Sequence, residues 1–122
     1  MKVCITAMGP QMDSAVDPRF GRCQFFVFFD LLTREVEALS NPNLESSGGA
    51  GIQSAQLVAS KGAAIVVTGH VGPNAFRTLN AAGISIFTGA NGTVKDAIAG
   101  YEAGKLARAV APDSGSKSGL GQ

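Results

Sequence analysis

The stretch whose reading decides the fold is AAIVVTGHVGPNAFRTLNAAGISIF, residues 63–87. Ala63–Thr68 is a short apolar run with β-branched residues and a glycine on either side. That pattern predicts a strand buried on both faces. Gly69, His70, Val71 and Gly72 form a loop. Pro73 suits the first position of a helix, where its missing N–H costs nothing. Ala75, Phe76, Leu79 and Ala82 follow helical spacing, Gly83 is placed to end the helix, and Ile84–Phe87 reads as a second buried strand. A strand–helix–strand unit of this length joins two parallel strands by a right-handed crossover. The loop 69–72 then lies at the carboxyl end of a strand and against a helix N-terminus. Ligands bind at such places in open α/β sheets, and the helix end favours an anion.

Working outward, Lys2–Met8 starts the sheet, and Gly9–Arg22 is a loop too long for a simple turn. Gln24–Asp30 is a doubly buried strand, and Glu35–Leu39 alternates as the outer arm of a hairpin at a sheet edge. Ser40–Gly51 reads as a mobile polar loop. Ile52–Lys61 reads as a helix with an Ile52, Ala55, Ala59 face, closed by Gly62. Thr93 and Asp96 form a capping box. Val94, Ala97, Ile98 and Tyr101 then give the cleanest amphipathic helix in the chain, ended by Gly104. Leu106–Val110 adds a short extended piece, and residues 111–122 have no apolar face and are expected to be disordered. The expectation is one α/β domain over residues 1–110. It has a mixed sheet of about five strands, helices on both faces, and strand 1 central beside strand 4.

Composition narrows the function. With 122 residues the chain suffices for one core, and 45% hydrophobic against 16% charged residues excludes wholesale disorder. A net charge of +1 gives no support to a nucleic-acid or membrane-surface partner. No apolar run reaches the roughly 20 residues of a membrane span, and no signal-peptide layout is seen, so the cytoplasm is expected. Cys4 and Cys23 belong to no CxxC pair.

The residues able to carry chemistry lie in two loops. Asp17-Pro-Arg-Phe-Gly-Arg-Cys23 sets Arg19 and Arg22 around Gly21, with a thiol behind. Arginine offers a fixed fork of donors to an anion, and glycine lets the backbone approach it. The alternative is a solvated loop over a buried cysteine. His70, the only histidine, can ligate a metal, pair with an anion or simply sit at the surface. Cys23 reads as a buried structural residue, with a pKa lowered by the basic residue before it as the alternative, and Cys4 reads as core. Met8 and Met12 read as loop packing. With a single histidine, any Ser-His-Asp or Cys-His arrangement would have to use His70, and the acids are scattered. No phosphate-binding GxxxxGK[ST] occurs. The chain reads as a binder rather than an enzyme.

DPRFGRCQFFVFFD and AIVVTGHVGPNAFRTLNAAGISIF, followed by TVKDAIAGYEAGKL, resemble the dinitrogenase iron–molybdenum cofactor biosynthesis family. That family includes the NifX-like and NafY-like proteins and the C-terminal region of NifB. The resemblance covers residues 1–108. It implies a ribonuclease-H-like three-layer α/β domain. It also implies non-catalytic, non-covalent handling of an anionic Fe–Mo–S or Mo–Cu–S cluster; cluster donor or acceptor proteins are the expected partners, and a monomer is the expected state. By position, Arg19, Phe20, Gly21, Arg22, Cys23, Gly69, His70, Val71 and Gly72 would face the cluster; His70 or Cys23 is the candidate for a direct metal ligand. Arg19 stands where several nitrogenase-associated members carry a histidine. The rival readings are a ribonuclease-H-like protein-interaction module without a cluster and, further off, a metal-dependent hydrolase.

Overall fold

Alternation of side chains along six strands builds the sheet on which everything else rests. A computed structural model describes residues 1–43 and 49–112. The strands are β1 (Lys2–Ala7), β2 (Phe25–Asp30), β3 (Val36–Ser40), β4 (Ala63–Val67), β5 (Ser85–Thr88) and β6 (Ala107–Arg108). Their spatial order is β3-β2-β1-β4-β5-β6. β1 pairs in parallel with β4 and β4 with β5, whereas β1–β2, β2–β3 and β5–β6 are antiparallel. The expected central parallel pair and leading hairpins are therefore present. The sheet has six strands rather than about five, because Ala107–Arg108 closes on β5 as a two-residue edge.

Each face of the sheet has its own core. Cys4, Phe26, Phe28, Val66 and Ile86 point to one face, where helices α1 (Ala50–Ser60) and α2 (Pro73–Ala81) cover them with Ala55, Val58, Ala75 and Leu79. Val3, Ile5, Val27, Phe29, Ile65 and Val67 point to the other, covered by Val94, Ala97 and Ile98 of α3 (Val94–Glu102). This is the three-layer mixed α/β arrangement expected from the sequence. Doubly buried strands explain the unbroken apolar runs of β2 and β4. The β3 edge keeps Glu37 in solvent, where it accepts a 2.7 Å hydrogen bond from Lys61 Nζ.

Two sequence expectations change here. α1 begins at Ala50, inside the stretch read as loop. Its buried residues are Ala50, Ser54, Ala55 and Val58, while Ile52 is exposed. The inward face is therefore rotated from the one Ile52 implied. Residues 44–48 of the expected loop and 113–122 of the expected tail lie outside the described residues.

Among the described residues no helix is long and apolar enough to cross a membrane.

Candidate functional site

The carboxyl ends of β1 and β4 lie side by side, so the loops leaving them meet. Backbone bonds zip them together: the His70 amide donates to Pro18 O at 2.7 Å, and the Phe20 amide donates to His70 O at 3.2 Å. This contact depends on Gly69. A Cβ there would stand 2.7 Å from Pro18 Cα and 2.8 Å from Pro18 O, closer than real carbon atoms pack. The two loops singled out in the sequence thus form one continuous structure.

Buried polar groups hold it. Asp17 is fully buried, and its carboxylate accepts from the Arg19 amide (3.2 Å), Arg19 Nε (3.3 Å) and the Gln24 amide (3.3 Å). Thr6 Oγ1 donates to Asp17 O at 2.7 Å and lies 2.7 Å from Thr68 Oγ1. Thr6 has one proton and gives it to Asp17, so Thr68 is the donor of that second bond.

Beside this loop opens a cavity of about 440 Å³, a size typical of small-ligand sites. Phe20, Gly21 and Arg22 form one wall, Gly49, Ala50 and Gly51 at the start of α1 a second, and Gly72, Pro73, Asn74 and Ala75 at the start of α2 a third. Two helix N-termini therefore converge on one space whose wall includes Arg22. Neither helix has a side-chain cap; Gly49 and Gly72 occupy the N-cap positions. The first amides of a helix have no partner within it, and a helix start carries partial positive charge. α3 is built oppositely. Thr93 Oγ1 accepts from the Asp96 amide, Asp96 Oδ2 accepts from the Thr93 amide, and the Val94 and Lys95 amides donate to Ser14 O and Met12 O. That carboxylate is held below its ordinary pKa by the Thr93 amide it accepts.

The expected site residues divide on this geometry. Phe20, Gly21, Arg22 and Gly72 line the cavity. His70 is exposed and sits at the same end of the sheet, against Arg19 along the backbone. Gly69 serves the close approach to Pro18. Val71 is fully buried in the core between the sheet and α1 and α2. Cys23 is fully buried too, and burial followed by the Asp17 charge pushes its thiol up to about 12. Arg19 pulls the other way and is outweighed. Cys23 is therefore the buried residue the sequence suggested, and burial, which penalises the thiolate, rules out the alternative of activation by a basic neighbour. Cys4, also buried, is raised for the same first reason. We expect iodoacetamide at pH 8 to leave Cys4 and Cys23 unmodified in the folded protein and to label both once guanidinium unfolds it. Rapid labelling of native Cys23, read by mass spectrometry, would contradict its burial.

The start of α1 is not legible in the sequence, because Gly49-Ala50-Gly51 carries no apolar signal and reads as loop. Its trace in the sequence is the same glycine-bounded, uncapped entry seen at Gly72-Pro73. Among the described residues no group of three or more His, Cys, Asp or Glu side chains could hold a metal ion. The cavity wall instead brings together two helix starts and Arg22.

The fold and this cavity define a small α/β domain with a recess, walled by two helix starts and the 20–22 turn, at the carboxyl ends of its central strands. Residues 1–104 match the family described as dinitrogenase iron-molybdenum cofactor, and the chain belongs to that family. The chain is similar to the apo form of the orange protein from Desulfovibrio gigas. The two are 40% identical, with a TM-score of 0.90, over 93% of this chain and 96% of that one. It is also similar to a candidate NifB protein from Thermotoga, with 34% identity and a TM-score of 0.79 over 88% and 91% of the two chains. An uncharacterized protein of Methanocaldococcus jannaschii is 26% identical over 100 residues, 80% of this chain and 85% of that protein.

Proposed function

We propose that this protein is a non-catalytic carrier that takes up an anionic metal–sulfur cluster of the Fe–Mo–S or Mo–Cu–S type as cargo. It binds the cluster without a covalent bond and passes it between donor and acceptor proteins. It works as a cytoplasmic monomer with a single domain over residues 1–110. The observation that carries this reading is the convergence of two uncapped helix starts and Arg22 on one cavity of about 440 Å³. Membership of a family described by the iron–molybdenum cofactor supports the class of cargo.

The physical logic favours an anion held whole. Sulfide ligands of a cluster accept hydrogen bonds from backbone amides, and each helix start adds about 0.3–1 kcal/mol of attraction for a negative charge near the surface. Glycine and alanine walls let the cluster approach the backbone closely. Cys23 is buried beneath the loop and is not on the cavity wall, so this binding mode does not use it. His70, outside the cavity wall, is placed to meet the cluster's outer edge or the partner that delivers it.

The two arginines should behave differently. Arg19 is tied to buried Asp17 through Nε, whereas Arg22 lines the cavity. Anaerobic reconstitution with tetrathiomolybdate and Cu(I), or with iron, should give a visible absorption band and bound metal by elemental analysis. Arg22→Ala should weaken binding about tenfold, ~1.4 kcal/mol, and Arg19→Ala by less than about threefold, ~0.7 kcal/mol. A parent protein that takes up no cluster, or an Arg22→Ala protein that binds like the parent, would refute the assignment.

A further inference from the structure

Five polar side chains are buried among the described residues: Thr6, Asp17, Asn41, Ser54 and Thr68. All five serve one segment, residues 17–24. Thr6, Thr68 and Asp17 fix its entry, as described above. Asn41 and Ser54 fix its turn. Asn41 Nδ2 donates to Gly21 O at 3.2 Å and to Cys23 O at 2.9 Å, and Ser54 Oγ donates to Gly21 O at 3.3 Å. Asn41 is itself held, because its amide donates to Gln24 O and its Oδ1 accepts from the Asn43 amide at 2.8 Å. Gly21 has φ +96°, and a Cβ on it would stand 3.1 Å from Gly51 Cα, so the turn is pressed against the start of α1.

Resting on the carrier reading above, we propose that Asn41 and Ser54 are positioning residues for cluster binding. Neither lines the cavity. They act through the Gly21–Arg22 peptide. That peptide is trans and planar, so its N–H points opposite to its C=O. With the Gly21 carbonyl drawn inward by two buried donors, the Arg22 amide is turned away from them, and Arg22 forms part of the cavity wall. The same two bonds set where the Arg22 side chain leaves the wall. A turn free to rotate this peptide would present a carbonyl oxygen to an anion instead of an amide. Burying a polar side chain is costly unless it is hydrogen-bonded. Two such groups converging on one carbonyl of one turn indicate that the orientation of this peptide is what they secure.

The test compares Ser54→Ala, a small change in the middle of a helix, with Arg22→Ala and the parent, each loaded anaerobically with tetrathiomolybdate and Cu(I). Asn41→Asp is the second variant. It keeps the acceptor for the Asn43 amide and loses the donor to Gly21 O and Cys23 O. Binding is measured by titration well below the melting temperature, with the visible circular dichroism of the bound cluster and the Arg22 amide resonance as local readouts. We expect Ser54→Ala to weaken binding about fivefold and Asn41→Asp more than tenfold. Both should show a shifted Arg22 amide and an altered cluster spectrum. If Arg22→Ala weakens binding while both other variants bind like the parent, the carrier reading stands and this inference falls. If they weaken binding with the Arg22 resonance and cluster spectrum unmoved, their role is general stability and the inference falls again. If neither parent nor variants take up cluster, the carrier reading itself fails, and this inference fails with it.

Discussion

Gly69→Ala is expected to destabilise the protein by about 3 kcal/mol and to lower its melting temperature by roughly 10–20 °C. The added methyl would stand 2.7–2.8 Å from Pro18 Cα, Cβ and O, a contact with backbone that no side-chain rotation relieves. Moving Pro18 away stretches the 2.7 Å bond from the His70 amide and the 3.2 Å bond from the Phe20 amide together. Overpacking of this kind costs about 1–3 kcal/mol, and each lost hydrogen bond adds about 1. Cluster binding should fall with stability, because Phe20 carries one cavity wall from this seam. Urea denaturation measures the effect. A change below about 1 kcal/mol, the size of an ordinary surface substitution, would mean that the two loops are not locked together.

That seam was legible in the sequence as a place. The β-branched run Ala63–Thr68 and the helix entry at Pro73 put loop 69–72 at a strand's carboxyl end. The length of Gly9–Arg22 brought Asp17–Cys23 to the same end. Strict periodicities did this work: doubly buried strands give unbroken apolar runs, and α3 announces itself by the capping box Thr93–Asp96 and a clean apolar stripe. What stayed hidden depended on packing between elements distant in sequence. α1 is built of alanine, glycine, serine and glutamine around few large apolar residues, so its phase could not be read. Ile52 drew the face toward itself, yet the helix turns Ser54 inward because Gly21 O is there to receive its proton. The start of α1 meets the start of α2 and the 20–22 turn only after the sheet has formed, so no local pattern marks a three-walled cavity. Cys23 left two readings open for a related reason. A basic neighbour in sequence argues for a lowered pKa only where the sulfur remains in water, and here the core takes it up.

The cavity can be closed to anions without touching Arg22. Gly51→Glu is expected to abolish measurable cluster binding, a loss of at least about 100-fold, ~2.7 kcal/mol, while leaving the melting temperature unchanged or slightly higher. Gly51 is the second residue of α1 and lies on the cavity wall. Its backbone is outside the left-handed region, and a Cβ there makes its nearest contact with Ala75 Cβ at 3.4 Å, so a side chain is tolerated. Replacing glycine within a helix recovers about 0.5–1 kcal/mol, and a carboxylate in the first turn adds about 0.3–1. The same carboxylate would occupy the space between the two helix starts and use the amides that the cargo needs. Two unit charges 4 Å apart near a protein surface repel by about 4 kcal/mol, more than enough for the expected loss. Gly51→Gln separates charge from volume: it fills similar space without the charge and should retain more binding than Gly51→Glu. Titration with tetrathiomolybdate and Cu(I) measures both. If Gly51→Glu loads cluster as the parent does, the cargo sits elsewhere, and His70 with Arg19 at the exposed rim becomes the place to look. If Gly51→Glu and Gly51→Gln lose binding equally, shape rather than charge governs entry, and attraction by the helix starts is not what holds the cluster.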